Sequence, residues 1–366
     1  MKFNKIGFIG LGLIGGSMAK KIHIEYPDAK LYALSGRQET ITQAYEMGLI
    51  ENEKMCNISD LYDCDCIFLC TPVQQNIEYL RQLKENIKSD CIITDVGSVK
   101  SDIHKEVIAL DMEANFIGGH PMAGSEKTGL SNANEYLLEN AYYIITPTAQ
   151  SKAGDIEDMR TFVASLGAIP MVLDYNTHDH ATAAISHLPH VIAYSLVNLV
   201  KDLDDNQETM KTIAAGGFRD LTRIASSSPI MWQNICLSNQ EQVLELIDDY
   251  VVALQKTRSD IASQNGDALL SDFQSAKDYR DSFQIKKKGL INKVYEIYLD
   301  LIDEAGGIAT VATILASNNL SIKNIGIIHN REFEEGVLRL EMYDQESLDR
   351  SIELLKKYHY TVYERL

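Results

Sequence analysis

The stretch Gly10-Leu11-Gly12-Leu13-Ile14-Gly15 follows an apolar run at residues 5–10 and opens a helical pattern at residues 15–24. Glycines at this spacing permit a tight turn, a close approach of the backbone to a pyrophosphate, and close packing of helix on sheet. The helix N-terminus adds unpaired N–H groups and the positive end of a dipole. A purely structural turn is the alternative. The stretch predicts a dinucleotide site that includes Gly10, Gly12, Leu13, Ile14 and Gly15.

Alternating apolar runs and helical patterns continue through the first 174 residues. The further apolar runs lie at residues 30–35, 64–70, 91–95, 116–119, 142–146 and 169–173. The further helical patterns lie at residues 38–47, 73–86, 99–110 and 151–166. Near-continuous apolar strands with intervening helices are typical of a parallel sheet that is covered on both faces. We expect an α/β Rossmann-type nucleotide-binding domain over residues 1–174.

The pattern changes twice after this domain. Long helical patterns without a convincing strand predict an all-α domain over residues 175–290. The last part of the chain follows the order strand, helix, strand, strand, helix, strand, which predicts a small α+β domain over residues 295–366. Its elements are expected at residues 295–301, 307–317, 322–330, 336–342, 345–357 and 360–365.

Composition excludes several classes of partner. The 366 residues include 34 Lys and Arg and 52 Asp and Glu, a net charge of −18. So acidic a chain is a poor ligand for nucleic acid or an anionic membrane surface. No apolar run approaches the roughly 18 residues of a membrane helix, and the N-terminal residues lack a signal-peptide layout. The six cysteines lack Cys-x-x-Cys spacing, so we expect buried thiols in a cytoplasmic protein and no metal site.

The choice of cofactor depends on the residue about 20 positions after the glycine-rich turn. This residue is Ser35, in the stretch Leu34-Ser35-Gly36-Arg37. A carboxylate at this point would hold a ribose 2′-OH, whereas a hydroxyl followed by Arg37 suits a 2′-phosphate. Arg37 covering only the adenine face is the alternative. Both NAD and NADP therefore remain possible cofactors, and the pattern favours the use of NADP. Thr71, after the third strand, is assigned to the same site.

Polar clusters follow the fourth and fifth predicted strands. They are Asp95-Val96-Gly97-Ser98-Val99-Lys100 and Gly118-Gly119-His120-Pro121-Met122-Ala123-Gly124-Ser125-Glu126. In open α/β sheets the ligand crevice lies beyond the carboxyl ends of the strands. His120 is thus placed near the nicotinamide, where an imidazole can act as general base for a hydroxyl proton. A structural histidine that caps the turn is the alternative.

Four histidines lie between residues 178 and 190, around Ser186-His187-Leu188-Pro189-His190. In a helix Ser186 and His190 share a face, although Pro189 can distort that helix. The spacing lacks the His-x-x-x-His pair of a zinc site, so no metal is expected. His187 is expected to be a core histidine.

Two arginines lie further along the helical domain, in the stretch Gly216-Gly217-Phe218-Arg219-Asp220-Leu221-Thr222-Arg223. Arg219 and Arg223 are four residues apart, so a helix would present two guanidinium groups on one face, an arrangement suited to carboxylates. A structural ion pair with Asp220 is the alternative. Trp232, the only tryptophan, follows shortly afterwards.

These motifs together resemble the prephenate dehydrogenase family. They are GLGLIGGS, DVGSVK, GGHPMAGSE, SHLPH and GFRDLTRIA with a following MW, in this order over residues 5–260. The resemblance implies a nucleotide-binding domain and a helical dimerisation domain with the active site between them, and hence a homodimer. It also implies the oxidative decarboxylation of prephenate to 4-hydroxyphenylpyruvate in tyrosine biosynthesis, with hydride transfer to NAD or NADP.

The resemblance also implies roles for individual residues. His120 would take the proton of the ring 4-hydroxyl as hydride leaves C4, and Ser98 would lie beside that hydroxyl and the nicotinamide. Ser186 and His190 would orient the substrate. Arg223 would bind a substrate carboxylate, and Glu126 would pair with Arg223 or gate it. Trp232 would form a wall of the pocket.

The C-terminal stretch Leu301-Ile302-Asp303-Glu304-Ala305-Gly306-Gly307-Ile308-Ala309 resembles an ACT domain. That resemblance implies amino-acid sensing, with tyrosine as the effector. A dimerisation or stabilising module is the alternative. For the whole chain the rivals are an arogenate dehydrogenase, a 3-hydroxyacid dehydrogenase, which would lack SHLPH and GFRDLTR, and a nucleotide-binding regulatory protein without catalysis, which would not need His120 or Arg223.

Overall fold

The computed structural model describes residues 3–124, 127–282, 295–301, 306–328 and 336–364. The chain forms two compact units, Met1–Ser259 and Asp260–Leu366. The first unit contains the α/β part and the helices that follow it. The second contains one further helix and a small α+β part.

A four-stranded parallel sheet begins the first unit, with the strands in the order β2-β1-β3-β4. Its strands are β1 Lys5–Ile9, β2 Lys30–Leu34, β3 Cys66–Leu69 and β4 Ile92–Asp95. In the register of the sheet, Gly7 lies between Tyr32 and Ile67. Every residue of β3 and β4 is buried, as expected for strands covered on both faces.

Three further strands form a second sheet in the order β5-β6-β7, where β5 is Ile117–Pro121, β6 is Tyr142–Pro147 and β7 is Ile169–Val172. A parallel bridge between Ile93 and Phe116 links the two sheets. β6 runs antiparallel to β5 and parallel to β7. The antiparallel pair departs from the all-parallel sheet that the strand pattern predicts. A parallel pair needs a crossover, and the described connection from β5 to β6 contains only a 3-10 turn at Leu130–Asn132.

Five helices cover these sheets: α1 Leu13–Glu25, α2 Gln38–Glu46, α3 Val73–Leu83, α4 Ser101–Ala109 and α5 Ala153–Ser165. Two buried apolar clusters result. Phe8, Phe68 and Phe162 belong to one cluster, and Ile9, Leu69 and Phe116 to the other. Successive residues of β1 and β3 therefore point to opposite cores, which confirms the Rossmann-type arrangement predicted from the sequence.

Helices alone make up the rest of the first unit. They are α6 Tyr175–Thr182, α7 Leu188–Leu203, α8 Thr209–Ile213, α9 Gly216–Thr222, α10 Pro229–Ser238 and α11 Gln240–Ala262. A π-helical turn, Ala183–His187, joins α6 to α7, and a 3-10 turn, Arg223–Ser226, follows α9. Helices α10 and α11 are separated at Asn239, whose side-chain amide donates to the Asp179 carbonyl.

One helical segment, Tyr175–Leu203, is long and apolar enough by length and composition to cross a membrane, with a mean hydropathy of 1.3. This corrects the expectation that no apolar run approaches that length, because the polar residues of the segment are mostly uncharged. Its Asp179 carboxylate is buried and accepts hydrogen bonds from the backbone N–H groups of Lys100 and Ser101. The first part of this segment therefore packs on the α/β part of the protein.

The second unit begins with an exposed helix, α12 Gly266–Ser282. A four-stranded antiparallel sheet in the order β11-β8-β10-β9 follows, packed on two helices. The elements are β8 Tyr295–Leu301, α13 Gly307–Ala316, β9 Ile322–Ile328, β10 Gly336–Met342, α14 Gln345–Lys357 and β11 Val362–Glu364. The predicted βαββαβ order is confirmed. The strand ends predicted at residues 329–330 and 365 lie outside the described residues.

Candidate active site

The glycine-rich turn connects the end of β1 to the start of α1. Gly10 has a φ of +98°, in the left-handed region that favours glycine. A Cβ atom there would lie 2.8 Å from both the Cys70 carbonyl oxygen and the Thr71 side chain. At Gly15 a Cβ atom would lie 2.6 Å from the Gly10 carbonyl oxygen. Glycine at these two positions therefore lets β1, β3 and α1 approach each other closely.

The middle glycine of the turn faces open space. A Cβ atom at Gly12 would meet nothing within 4 Å, and no side chain caps the N-terminus of α1 at this residue. The first turn of α1, which begins Leu13-Ile14-Gly15, contains no acidic residue. An open helix N-terminus of this kind offers backbone N–H groups and a positive dipole end to an anion. The turn thus fits the pyrophosphate of a dinucleotide.

The other predicted cofactor residues also follow strands of the parallel sheet. Ser35 directly follows β2, and its hydroxyl accepts a 3.4 Å hydrogen bond from the backbone N–H of Arg37, whose side chain is exposed. Thr71 lies after β3, where its hydroxyl donates to the side-chain oxygen of Asn76. The strand order reverses between β1 and β3, and ligands of open α/β sheets bind at such a point.

A cavity of about 500 Å³ lies between the α/β part and the helices of the first unit. Five of the predicted site residues line it: Ser98, His120, Ser186, His190 and Trp232. The lining also includes residues that the sequence analysis did not assign to the site, among them Thr128, Thr182, His187, Ser227 and Ser228. The structure therefore brings the polar clusters at the carboxyl ends of β4 and β5 together with the segment that contains the four histidines.

The π-helical turn Ala183–His187 shapes one wall of this cavity. Pro189 lies in the first turn of α7 and has no N–H to donate, and the wider turn before it accommodates that loss. His190 Nδ1 donates to the Ser186 carbonyl oxygen at 2.9 Å, which leaves Nε2 free of that bond. Burial lowers the pKa of His190, so the ring is neutral at neutral pH. Its imidazole stacks on the indole of Trp232.

His120 lies near the end of β5, where its ring reaches the cavity. Its Nδ1 atom is 2.8 Å from Nε2 of His178. Burial lowers the pKa of His120 well below the usual histidine range, and repulsion from a proton on His178, from Lys100 and from a proton on His187 acts in the same direction. The imidazole is therefore neutral at neutral pH, the form in which it can accept a proton.

A buried ion pair joins the loop that carries Ser98 to the strand that carries His120. Lys100 Nζ pairs with the Asp95 carboxylate, and both side chains are fully buried. The same Nζ donates to the Gly119 carbonyl oxygen at 2.7 Å, and the Gly119 N–H donates to Asp95 at 3.2 Å. Burial lowers the pKa of Lys100 against the opposing effect of Asp95. The pair ties the loop after β4 to β5, a connection that the sequence motif does not reveal.

The two predicted arginines lie outside the cavity wall. Arg219 in α9 and Arg223 at the start of the following 3-10 turn are both exposed. Among the described residues neither forms an ion pair, and the alternative pairing with Asp220 is not observed. Arg223 lies four residues before Ser227, which does line the cavity. Glu126 lies outside the described residues.

The fold and the cavity define a dinucleotide-dependent oxidoreductase. Two family models match the chain: the nucleotide-binding domain of prephenate dehydrogenase over residues 18–172, and its dimerization domain over residues 174–275. The chain is 36% identical over 345 residues to the prephenate dehydrogenase of Bacillus subtilis, which covers 93% of each protein.

Solved structures agree with these matches. The prephenate dehydrogenase of A. aeolicus in complex with hydroxyphenyl propionate and NAD⁺ has a TM-score of 0.73 and 28% identity, covering 78% of this chain and 99% of that chain. The arogenate dehydrogenase of Synechocystis has a TM-score of 0.70 and 31% identity, covering 76% of this chain and 99% of that one. The chain belongs to the prephenate dehydrogenase family, which confirms the resemblance drawn from its motifs.

Proposed function

We propose that the protein catalyses the oxidative decarboxylation of prephenate to 4-hydroxyphenylpyruvate in tyrosine biosynthesis. The observation that carries this proposal is His120, a neutral imidazole in a cavity that also contains Ser98 and His190. The similarity to prephenate dehydrogenases over most of the chain supports the same reaction. A nucleotide-binding regulatory protein without catalysis would have no need of this imidazole.

In this proposal the substrate ring lies in the cavity with its 4-hydroxyl against His120. The hydroxyl O–H bond breaks and a new N–H bond forms on the imidazole, a transfer that general bases accelerate. A bound nicotinamide supplies the acceptor for the hydride that leaves C4. The bond from the ring to its carboxylate breaks, CO₂ leaves, and the electron pair completes the aromatic ring. The phenolate oxygen then takes the proton back from His120.

Other residues bind and orient the substrate in this proposal. Ser98 lies beside the hydroxyl and the nicotinamide, while Ser186 and His190 orient the ring from the helical side. Arg223 binds a substrate carboxylate. Its position supports this role, because Arg223 begins the turn that leads to Ser227 in the cavity wall. Glu126 pairs with Arg223 or gates it, Trp232 walls the cavity, and Arg219 is a further partner for carboxylates.

For the cofactor we propose NAD or NADP, with NADP accepted through Ser35 and Arg37. The exposed side chain of Arg37, two residues after the Ser35 hydroxyl, suits a 2′-phosphate, and Ser35 occupies the position at which a carboxylate would hold a bare ribose.

A second candidate substrate is arogenate, which differs from prephenate in carrying an amino group on its side chain. The observation that favours it is the similarity to the arogenate dehydrogenase of Synechocystis.

We also propose a homodimer of three-domain subunits, divided at residues 1–174, 175–290 and 295–366. The match to a dimerization domain supports it, as do large apolar side chains that the single chain leaves exposed. These side chains include Leu203, Leu237, Leu244, Val252 and Leu254. A cytoplasmic location is proposed because all six cysteines are unpaired thiols.

For residues 295–366 we propose an ACT-like regulatory domain with tyrosine as the effector. Its βαββαβ order and antiparallel sheet support this. The test measures inhibition by tyrosine for the full chain and for a chain ending at Lys288. The proposal expects inhibition of the full chain alone, and equal inhibition of both would contradict it.

The experiment that tests the reaction incubates the protein with prephenate or arogenate, each with NAD and with NADP, and follows the absorbance of the reduced cofactor. The proposal expects reduction with prephenate. Reduction with arogenate alone favours the second candidate, and no reduction in any of the four mixtures contradicts both.

A further inference from the structure

Two buried residues, His178 and Asp179, extend a chain of hydrogen bonds from His120 away from the cavity. His178 Nε2 lies 2.8 Å from His120 Nδ1, with the two rings edge to face. His178 Nδ1 lies 2.7 Å from the Asp179 carboxylate. The Asp179 oxygens also accept from the backbone N–H groups of Lys100 at 2.8 Å and Ser101 at 2.7 Å. The side chains of His178 and Asp179 are 1% and 0% exposed.

These contacts determine which nitrogen of each ring carries a proton. Burial raises the pKa of Asp179, but the hydrogen bonds from His178, Ser101 and Lys100 outweigh it and lower that pKa. The ionised carboxylate only accepts, so His178 must donate from Nδ1. The Nε2 atom of a neutral His178 then accepts, and His120 must donate from its own Nδ1. The lone pair of His120 is thereby left on Nε2.

We propose that His178 and Asp179 are positioning residues that hold His120 in the tautomer whose Nε2 accepts the substrate proton. This inference rests on the proposed function. When Nε2 of His120 takes that proton, the proton on Nδ1 can move to His178 Nε2, and the positive charge then lies beside the Asp179 carboxylate. No proton is gained or lost within the three residues beyond the one taken from the substrate.

The other titratable groups nearby are bonded elsewhere. Lys100 pairs with Asp95, His104 bonds to Thr146, and His187 lies 3.2 Å from the amide nitrogen of Asn239. Among the described residues, Asp179 is the carboxylate that hydrogen-bonds to the histidine pair. Replacement of the Asp179 carboxylate therefore tests the relay formed by His120, His178 and Asp179 more directly than any other single change.

The test compares Asp179→Asn with the parent protein. The amide carries no charge, and when its nitrogen replaces the oxygen shared by His178 Nδ1 and the Lys100 N–H, it donates to Nδ1, moves the His178 proton to Nε2 and makes His120 carry its proton on Nε2. We expect kcat with prephenate to fall by about a hundredfold or more, as for other bases held in the wrong tautomer, with KM little changed. The acidic limb of the pH profile should move to lower pH, because the protonated pair loses its carboxylate.

Imidazole ¹⁵N NMR reads the tautomer directly, with or without activity. The parent protein should show His120 protonated on Nδ1, and Asp179→Asn should show it protonated on Nε2. His120→Asn assigns the signal. If the parent protein lacks dehydrogenase activity, the proposed function fails while the NMR result still decides the relay. An unchanged tautomer together with unchanged kcat in a folded Asp179→Asn protein overturns the inference.

If Asp179→Asn does not fold, His178→Gln tests whether the buried pair positions His120. A glutamine oxygen can still accept from His120 Nδ1 but cannot take its proton, so we expect about a tenfold loss of kcat with the parent tautomer retained. Parent-like kcat and pH profile in this variant overturn the inference. His180→Gln is the matched control, because His180 is exposed on the same helix and bonds to Gln242. It should behave as the parent protein does.

Discussion

The imidazole of His190 stacks on the indole of Trp232, with ring centroids 3.4 Å apart and an interplanar angle of 23°. Both rings line the candidate active-site cavity and also a neighbouring apolar cavity of about 470 Å³. The stacked pair therefore forms a wall shared by the two cavities. Since Trp232 is the only tryptophan, its fluorescence reports on this wall alone.

Trp232 emission should titrate with His190. A protonated imidazole quenches a stacked indole more strongly than a neutral one does, and burial lowers the pKa of His190. We expect Trp232 emission to decrease as pH falls, with a midpoint below about pH 6.5, the ordinary pKa of histidine. His187, whose ring is 6.0 Å from the indole, has its pKa lowered by burial to about 4 and titrates separately. A midpoint that persists unchanged in His190→Gln would contradict this assignment.

Arg223→Ala should weaken substrate binding more than turnover. A charge-assisted hydrogen bond to a carboxylate is worth about 1.5–3 kcal/mol, so KM for prephenate should rise by about 10- to 100-fold. The measurement is steady-state kinetics at several salt concentrations, with Arg219→Ala as the neighbouring comparison. An unchanged KM in Arg223→Ala would place the carboxylate partner elsewhere.

Arg37→Ala should raise the KM for NADP and leave the KM for NAD nearly unchanged. The reason is that only NADP carries the 2′-phosphate that a guanidinium after β2 can bind. The check is a Michaelis constant for each cofactor in the parent protein and the variant. If NADP use stays the same in Arg37→Ala, then Arg37 only covers the adenine face.

Stability should fall in mild acid because of His104. Its side chain is fully buried, Nε2 bonds to Thr146, and Nδ1 has no partner among the described residues. Burial lowers the pKa of His104 to about 4, and Lys100 acts in the same direction. The unfolded chain, with an ordinary pKa of about 6.5, binds the extra proton between these values, so the free energy of unfolding decreases as pH falls through that window.

Chemical denaturation at a series of pH values checks this effect. His104→Gln keeps a hydrogen-bonding group near Thr146 but does not titrate, so its free energy of unfolding should vary less between the two pKa values. The control is His23→Gln, because His23 is exposed on α1. Parallel pH dependence of His104→Gln and the parent protein would contradict the prediction.

Much of the fold could be predicted from local patterns, because buried strands and amphipathic helices leave periodic traces in a sequence. The antiparallel direction of β6 could not, since a short apolar run such as Tyr142–Pro147 reads the same in either direction. The break at Asn239 was also hidden, because it depends on a bond to the distant Asp179 carbonyl.

The candidate site was predictable where motif residues follow strands, as for Ser98 and His120. The relay was not. His178 and Asp179 are adjacent on α6, and adjacent helical residues do not face one another. Only the N-terminus of α4, which binds the Asp179 carboxylate, brings that carboxylate against the imidazole. Such a contact between distant elements leaves no periodic signal.

Turnover of His120→Asn at saturating prephenate and cofactor shows whether His120 is the base that takes the hydroxyl proton. We predict a decrease of about two decades or more, the size of a general-base contribution. Cofactor affinity, followed by Trp232 fluorescence, should change little, and His180→Asn should match the parent protein. Near-parental turnover in a folded His120→Asn protein would show that another group takes the proton.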